Sequence, residues 1–236
     1  MELNVDLGEL SDEPEQLYAL ATVANIACGG HAGDEPSMRR ALTLAKREMA
    51  RVAAHPSYSD REGFGRRSRF AGEEETARAV EEQCTSLATL ATRDGIAIEI
   101  LKLHGALYHD ASTDVSLARA TLDAAMRALP ALSVVVGPRG GALEAVATER
   151  RLRFDAEAFG DRRYLGVDKL APRADPDAVL IDEASCVEQS LRLARSGRYA
   201  TICLHGDTPF ADRLVLAVRL ALEREGLLRR APGSAA

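Results

Sequence analysis

The stretch Asn25–Asp34, "NIACGGHAGD", places an amide, a thiol, an imidazole and a carboxylate among three glycines. It is not a phosphate loop, since neither GxxxxGK[ST] nor GxGxxG occurs in the sequence. Cys28 as a nucleophile with His31 as its base is one alternative, although that chemistry needs a third group to orient the histidine. We favour a strand-end loop in which Asn25 and His31 point into a ligand pocket and Cys28 is a small buried residue.

Similar polar residues recur further along the chain, each time after a short apolar run. Four of the five histidines fall at such positions, and only His109 lies in a segment that looks like surface. Singly, His55 is explained as a structural histidine and Asp207 as a helix cap. Their convergence instead predicts one active site, formed by Asp6, Glu9, Asn25, His31, His55, Lys102, His104, Glu157, Asp161, Arg162, His205 and Asp207.

The elements that must position these residues alternate between strands and amphipathic helices, which is typical of an α/β fold with parallel strands and right-handed crossovers. Parallel strands end on one face, where ligands bind in barrels and in open sheets. We predict a single (β/α) barrel of seven strands over residues 1–230, with an open doubly wound sheet as the alternative, and a disordered tail over residues 231–236. The predicted strands are Leu3–Val5, Val23–Ala27, Arg51–Ala54, Ile98–Leu101, Leu132–Val136, Leu152–Asp155 and Thr201–Leu204.

Composition excludes several classes of protein. The 236 residues are 46% hydrophobic and 28% charged, with a net charge of -6, so a broad nucleic-acid surface is not expected. The first residues lack the pattern of a signal peptide, and no apolar run is long enough to cross a bilayer. We therefore expect a cytoplasmic protein with no membrane contact. Four cysteines without a short paired spacing are expected to be free thiols.

Seven blocks together resemble the signature of the LamB/YcsF family. They run in order from Asn4 to Pro209: "NVDLGE", "ANIACGGHAGD", "AHPSYSDREGFGRR", "LKLHGALY", "EAFGDRRY", "LAPR" and "CLHGDTP". The resemblance implies a barrel similar to those of carbohydrate deacetylases. It also implies a hydrolase that takes part in the ATP-dependent opening of the cyclic amide 5-oxo-L-proline to L-glutamate, in a complex with 5-oxoprolinase subunits B and C, which would bind the ATP.

For this reaction we assign a catalytic group and a substrate-binding group of residues. Asp6 or Glu157 serves as general base, Lys102 stabilises anionic charge, and His104 and His205 carry protons to the ring nitrogen. Arg66 holds the substrate carboxylate through a bidentate pair. The other substrate-binding residues are Glu9, Asn25, His31, His55, Asp161, Arg162 and Asp207, of which Arg162 also stabilises anionic charge.

Two alternatives remain open. The first is a metal-dependent deacetylase or amidohydrolase in which Asp6, His31 and His55 bind Zn²⁺ or a similar ion, although no HxxxH ligand pair is present. The second is a non-catalytic protein that only binds a ligand; the density of titratable residues disfavours it, because simple binding pockets are mostly apolar. The favoured interpretation assigns no metal.

Overall fold

Seven parallel strands close into a barrel in the computed structural model, which describes residues 1–229. Each strand pairs with the next along the chain, and the last pairs with both the sixth and the first. The barrel strands are β1 (Glu2–Leu7), β2 (Val23–Ala27), β3 (Arg51–His55), β4 (Ile100–Lys102), β5 (Val134–Gly137), β6 (Arg153–Phe159) and β9 (Thr201–His205).

Helices surround the barrel, and a small antiparallel hairpin follows β6. The hairpin consists of β7 (Tyr164–Gly166) and β8 (Lys169–Leu170). The helices are α1 (Gln16–Leu20), α2 (Glu35–Arg47), α3 (Glu73–Arg93), α4 (Gly105–Thr113), α5 (Val115–Ala128), α6 (Ala142–Glu149), α7 (Glu183–Arg195) and α8 (Ala211–Arg224).

Local sequence explains where several helices begin. The side chains of Asp34, Asp114 and Asp182 cap α2, α5 and α7 by accepting hydrogen bonds from backbone N–H groups in the first turn. At α2 the cap is reciprocal, because Ser37 also binds back to the backbone of Asp34. The caps of α2 and α5 fix the ends of segments that leave the carboxyl ends of β2 and β4, so they help to hold the site.

Alternation along each strand separates the core from the barrel interior. In β1, Leu3, Val5 and Leu7 face outward into the apolar layer shared with the helices, whereas Asn4 and Asp6 face inward. A second apolar cluster fills part of the interior; it consists of Val23, Ala53, Ile100, Val134 and Val136. Polar interior residues share these levels of the barrel, since Asn4 is in register with Val23 and Lys102 with Val136.

The predicted α/β barrel with seven strands is confirmed, and closure through β1 and β9 rules out the open sheet. The sixth strand was predicted wrongly: it runs to Phe159 rather than ending at Asp155, so Glu157 lies within it instead of after it. Inward and outward side chains continue to alternate to the end of this strand, but the inward Glu157 is charged, so a search for apolar residues ends the strand too early.

The predicted tail, residues 231–236, lies outside the described residues. Within residues 1–229, no helix combines the length and apolarity needed to span a bilayer.

Gly105 begins α4, directly after His104, and its replacement tests how tightly this turn is packed. Its φ is +58°, and an added Cβ would lie 2.4 Å from the carbonyl oxygen of Gly65. Gly95 has a similar φ of +68° but open space around it, so Gly95→Ala measures backbone strain alone. In urea unfolding, Gly95→Ala should lose about 1–2 kcal/mol, and Gly105→Ala about 3 kcal/mol or more. Equal losses would contradict the steric explanation.

Candidate active site

A cavity of about 370 Å³ opens at the carboxyl ends of the barrel strands. Its size falls within the usual range for sites that bind small molecules. The walls come from strand ends, from the loop after β3, from the start of α4 and from the segment after β8. The polar and aromatic lining residues are Asp6, His55, Arg66, Lys102, His104, Tyr108, His109, Phe159, Arg162, Arg173 and His205.

The floor of the cavity is a buried network around the ammonium group of Lys102. Its Nζ donates to Oδ1 of Asp6 at 2.7 Å, to Oδ1 of Asn4 at 3.1 Å and to Sγ of Cys203 at 2.9 Å. It also lies 3.1 Å from Oε1 of Glu157, which accepts a hydrogen bond from Asn4 at 2.9 Å. The donors of Lys102 are therefore directed at protein groups.

The opposite charges of Asp6 and Lys102 determine the protonation states of both groups. Burial alone would raise the pKa of Asp6, but attraction to Lys102 and then His55 outweighs burial and holds that pKa well below its usual range. Burial would likewise lower the pKa of Lys102, yet the carboxylates of Asp6 and Glu157 raise it well above its ordinary value. Both Asp6 and Lys102 are therefore ionised at neutral pH.

His205 and Asp161 form an oriented pair at the end of β9. Nδ1 of His205 lies 3.0 Å from Oδ1 of Asp161, and the backbone N–H of His205 donates to Oδ2 at 2.9 Å. Thr208 donates a further hydrogen bond to Oδ2 at 2.8 Å, and the imidazole stacks on Phe159. Burial opposes ionisation of Asp161, but His205 and these donors lower its pKa. The aspartate thus fixes the imidazole, and Nε2 is the nitrogen left for the cavity.

A second group of side chains brings three imidazoles against one carboxylate. Glu9 Oε1 lies 2.8 Å from Nε2 of His31, and Nδ1 of His104 lies 3.0 Å from Nε2 of His55. Burial, followed by the charges of Asp6 and others nearby, raises the pKa of Glu9 well above its usual value. Burial is also the largest cause that lowers the pKa values of His31 and His104.

Arginines surround the mouth of the cavity. Arg66 lies 2.5 Å from Oδ2 of Asp207, and Arg173 approaches the same carboxylate at 3.4 Å. Arg162 donates to two backbone carbonyls, and burial followed by repulsion from Arg173 lowers its pKa. The mouth thus holds three guanidinium groups, and Asp207 pairs with two of them. Asp207 does not cap the last helix as the simpler explanation had it, because the N-cap residue of α8 is Phe210.

The residues predicted from the sequence lie in two layers. The lining of the cavity contains Asp6, His55, Arg66, Lys102, His104, Arg162 and His205. The remaining members lie behind or beneath the lining and contact it: Glu9, Asn25, His31, Glu157, Asp161 and Asp207.

Two predictions about the opening stretch are wrong. Asn25 and His31 do not point into the mouth: Asn25 is buried and donates to Asn4 and Asp6, and His31 is buried with its ring nitrogens engaged by Ser57 and Glu9. The same contacts exclude the pairing of Cys28 with His31 as nucleophile and base. Cys28 is buried, as predicted, and burial raises the pKa of its thiol to about 12.

Sequence reasoning missed several residues of the site. Asn4 and Cys203 stand two positions before Asp6 and His205, so strand alternation places them on the same inner face. His109 is exposed, as predicted, but it also borders the cavity from α4, as does the buried Tyr108. Arg173 comes from the long connection after β8, and no strand-end pattern points to it.

The chain is similar to known proteins over nearly its whole length. A model of the LamB/YcsF family matches residues 1–235. The 5-oxoprolinase A subunit of Streptomyces avermitilis is 39% identical, over 96% of this chain and 97% of that protein. The crystal structure of a lactam utilization protein from Thermus thermophilus has a TM-score of 0.88 at 34% identity, over 98% of this chain and 99% of that one. A peptidoglycan N-acetylglucosamine deacetylase from Eubacterium rectale shares only the fold, with a TM-score of 0.52 at 12% identity, over 99% of this chain and 87% of that chain.

Lys102→Met tests whether the floor network holds the fold together. The variant leaves the carboxylates of Asp6 and Glu157 buried without their cation, so unfolding free energy should fall by about 3–5 kcal/mol. Adding Asp6→Asn should recover part of the loss, because one unpaired charge is then removed. The control is Lys169→Met, at an exposed lysine, which should change stability by less than about 0.5 kcal/mol. A Lys102→Met protein as stable as the control would refute the role given to this ion pair.

Proposed function

The chain belongs to the LamB/YcsF family, and from this we propose that it is the A subunit of a 5-oxoprolinase. In that role it is a hydrolase that opens 5-oxo-L-proline to L-glutamate, coupled to ATP hydrolysis, in a complex with subunits B and C. The observation that carries the proposal is the combination, in one cavity, of an arginine-rich mouth with the oriented His205–Asp161 pair. The barrel over residues 1–230 is proposed to be its one catalytic domain.

The mouth suits an anionic substrate. 5-Oxoproline is a five-membered lactam with a carboxylate, and Arg66 together with Arg173 offers planar donors that match such a group. Asp207 pairs with both guanidinium groups and holds them side by side at the mouth. Burial beside other arginines lowers the pKa of Arg162, so an added anion there is electrostatically favoured.

A lactam resists water because its amide is stabilised by resonance, and ATP removes that resistance. In the proposed sequence the partner subunits bind ATP and transfer its γ-phosphoryl group to the lactam oxygen, which releases ADP. One water adds to the ring carbon, the C–N bond breaks, and the nitrogen takes a proton to become the amine. A second water cleaves the resulting acyl phosphate into the glutamate carboxylate and inorganic phosphate. Because the reaction consumes ATP, we place it in the cytoplasm.

His205 is the group best placed to move these protons. Asp161 fixes its Nδ1, which leaves Nε2 to take a proton from water and to deliver one to the departing nitrogen. His104 is less suited to the proton transfer proposed for it, since Phe64 and His55 engage its two ring nitrogens.

Asp6 supplies a carboxylate to the lining of the cavity. Glu157 belongs to the floor network but not to the lining of the cavity, so Asp6 is favoured as the carboxylate base. Lys102 acts through Asp6, because its ammonium group holds that carboxylate ionised.

Reconstitution tests the function directly. Purified chain is added to subunits B and C with ATP and 5-oxo-L-proline, and glutamate and phosphate are measured. Glutamate should form only when all three are present, and the isolated chain should not hydrolyse ATP, because it has no recognisable nucleotide loop. Glutamate formation that is equal with and without this chain would overturn the assignment.

The proton-transfer pair is tested by removing its members singly and together. In the reconstituted complex, His205→Gln should lower kcat by about 10²–10⁴-fold, and Asp161→Asn should cause a loss of similar order. The double variant should be little worse than the poorer single variant, because the two residues act as one unit. His109→Gln is the matched control and should lose less than about tenfold, since His109 lines the same cavity but makes no hydrogen bond to a carboxylate within residues 1–229. If the loss of kcat in the double variant equals the product of the two single losses, Asp161 and His205 act independently.

A further inference from the structure

Glu9, His31, His55 and His104 each offer a ligand atom, and these atoms all lie within 4.8 Å of one another. Lysine and arginine side chains make no hydrogen bond to these atoms among the described residues. The group stands beside the cavity, since His55 and His104 belong to its lining. What the group binds can be derived from its hydrogen bonds.

Backbone carbonyls fix the protons of two imidazoles. Nδ1 of His55 lies 2.8 Å from the carbonyl oxygen of Lys102, and Nε2 of His104 lies 3.0 Å from that of Phe64. A carbonyl only accepts, so each of these nitrogens carries the hydrogen. In the neutral rings the other nitrogens, Nε2 of His55 and Nδ1 of His104, then present lone pairs. These two atoms face each other at 3.0 Å.

Two lone pairs at this distance repel each other unless a cation lies between them. Glu9 adds negative charge at the same point, because its Oε1 lies 3.4 Å from Nδ1 of His104 and 3.9 Å from Nε2 of His55. Its second oxygen, Oε2, is buried and has no hydrogen-bond partner in the described part of the chain. A carboxylate that is 1% exposed with an unpartnered oxygen is itself unusual.

His31 does not join the other three as a ligand. Its ring is stacked on that of His104, with centroids 3.6 Å apart and planes 4° from parallel. An ion in the plane of one ring therefore lies well out of the plane of the other, where the nitrogen lone pair does not point. His31 instead holds Oε1 of Glu9 at 2.8 Å, while Ser57 engages its other nitrogen. This is the arrangement of an outer partner that orients a metal-binding carboxylate.

We propose that Glu9, His55 and His104 bind a divalent transition-metal ion of the zinc type. Ligand atoms bound tetrahedrally at about 2.0–2.1 Å lie about 3.4 Å apart, and the three separations here are 3.0, 3.4 and 3.9 Å. Two imidazoles and one carboxylate suit zinc and its neighbours better than Mg²⁺ or Ca²⁺, which prefer oxygen. Three protein ligands leave a fourth position open, as in catalytic rather than structural sites. Oδ2 of Asp6 also lies 3.4 Å from Nε2 of His55, but the group of mutually close ligand atoms contains Glu9 and not Asp6. The acidic ligand is thus Glu9, and His104 replaces His31 in the set considered from the sequence.

The competing explanation is that protons alone fill the cluster. One proton would have to lie between Glu9 and His31, and a second between His55 and His104. The second proton would make one of these two rings an imidazolium, and both rings are buried, at 1% and 4% exposure, where an added charge is costly. The metal proposal does not depend on the proposed function, because it rests on these contacts and is tested by binding.

Metal-free protein, prepared with a chelator, is titrated with Zn²⁺ by calorimetry and with Co²⁺ by visible absorption. One ion per chain should bind, the Co²⁺ spectrum should be that of a site with nitrogen and oxygen ligands, and Zn²⁺ should raise Tm. Glu9→Gln and His104→Gln should each weaken binding by well over 100-fold, and His31→Gln by about 10–100-fold, as expected for an outer partner. His109→Gln should leave binding unchanged.

Folding of the variants is checked by their melting temperatures without metal. His104→Gln should melt no lower than metal-free wild type, because a glutamine amide can donate to Nε2 of His55 where the imidazole lone pair cannot. The proposal is overturned if wild-type protein binds Zn²⁺ or Co²⁺ no more tightly, or in no greater amount, than a His55→Gln/His104→Gln double variant. Such a result would mean that protons and not a metal ion lie between these side chains. It would not bear on glutamate formation by the complex.

Discussion

The ion pair between Lys102 and Asp6, with Glu157 as the second carboxylate, is the interaction on which the rest of the site depends. A lysine that is 2% exposed is stable in its charged form only if opposite charge stands close to it. The three residues come from β4, β1 and β6, so the pairing ties strands from different sides of the barrel together. Asn4 satisfies donors and acceptors of the same network. Replacing one member therefore changes both the charge and the packing of the interior.

Above this floor, the polar residues separate into groups with different charge. The arginines at the mouth are cationic and suit an anionic ligand, whereas burial keeps His31 and His104 largely neutral. His205 is held apart from that cluster by its own aspartate, Asp161. One cavity thus offers charge for binding, an oriented imidazole for proton transfer and neutral imidazoles suited to a metal ion. These roles need different environments, and strand ends from different parts of the barrel provide them.

Much of this could be predicted because parallel strands place their carboxyl ends on one face. Once the alternation of strands and helices was recognised, Asp6, His55, Lys102 and His205 had to converge. The directions in which the side chains point could not be predicted in the same way. His31 turns its nitrogens away from the mouth because it stacks on His104, a residue more than 70 positions later in the chain. Contacts of that kind depend on packing across the barrel, which local periodicity does not contain.

Asp6 links the floor to the histidine cluster, and this limits what each of its oxygens can do. Oδ1 accepts from Lys102 and from Asn25, so it is committed to the floor. Oδ2 lies 3.4 Å from Nε2 of His55, the nitrogen that also faces His104. Any cation between these imidazoles therefore also approaches Oδ2, which strengthens the ionised form of Asp6. A metal ion bound by Glu9, His55 and His104 would therefore add to the positive charge that Lys102 already places beside Asp6.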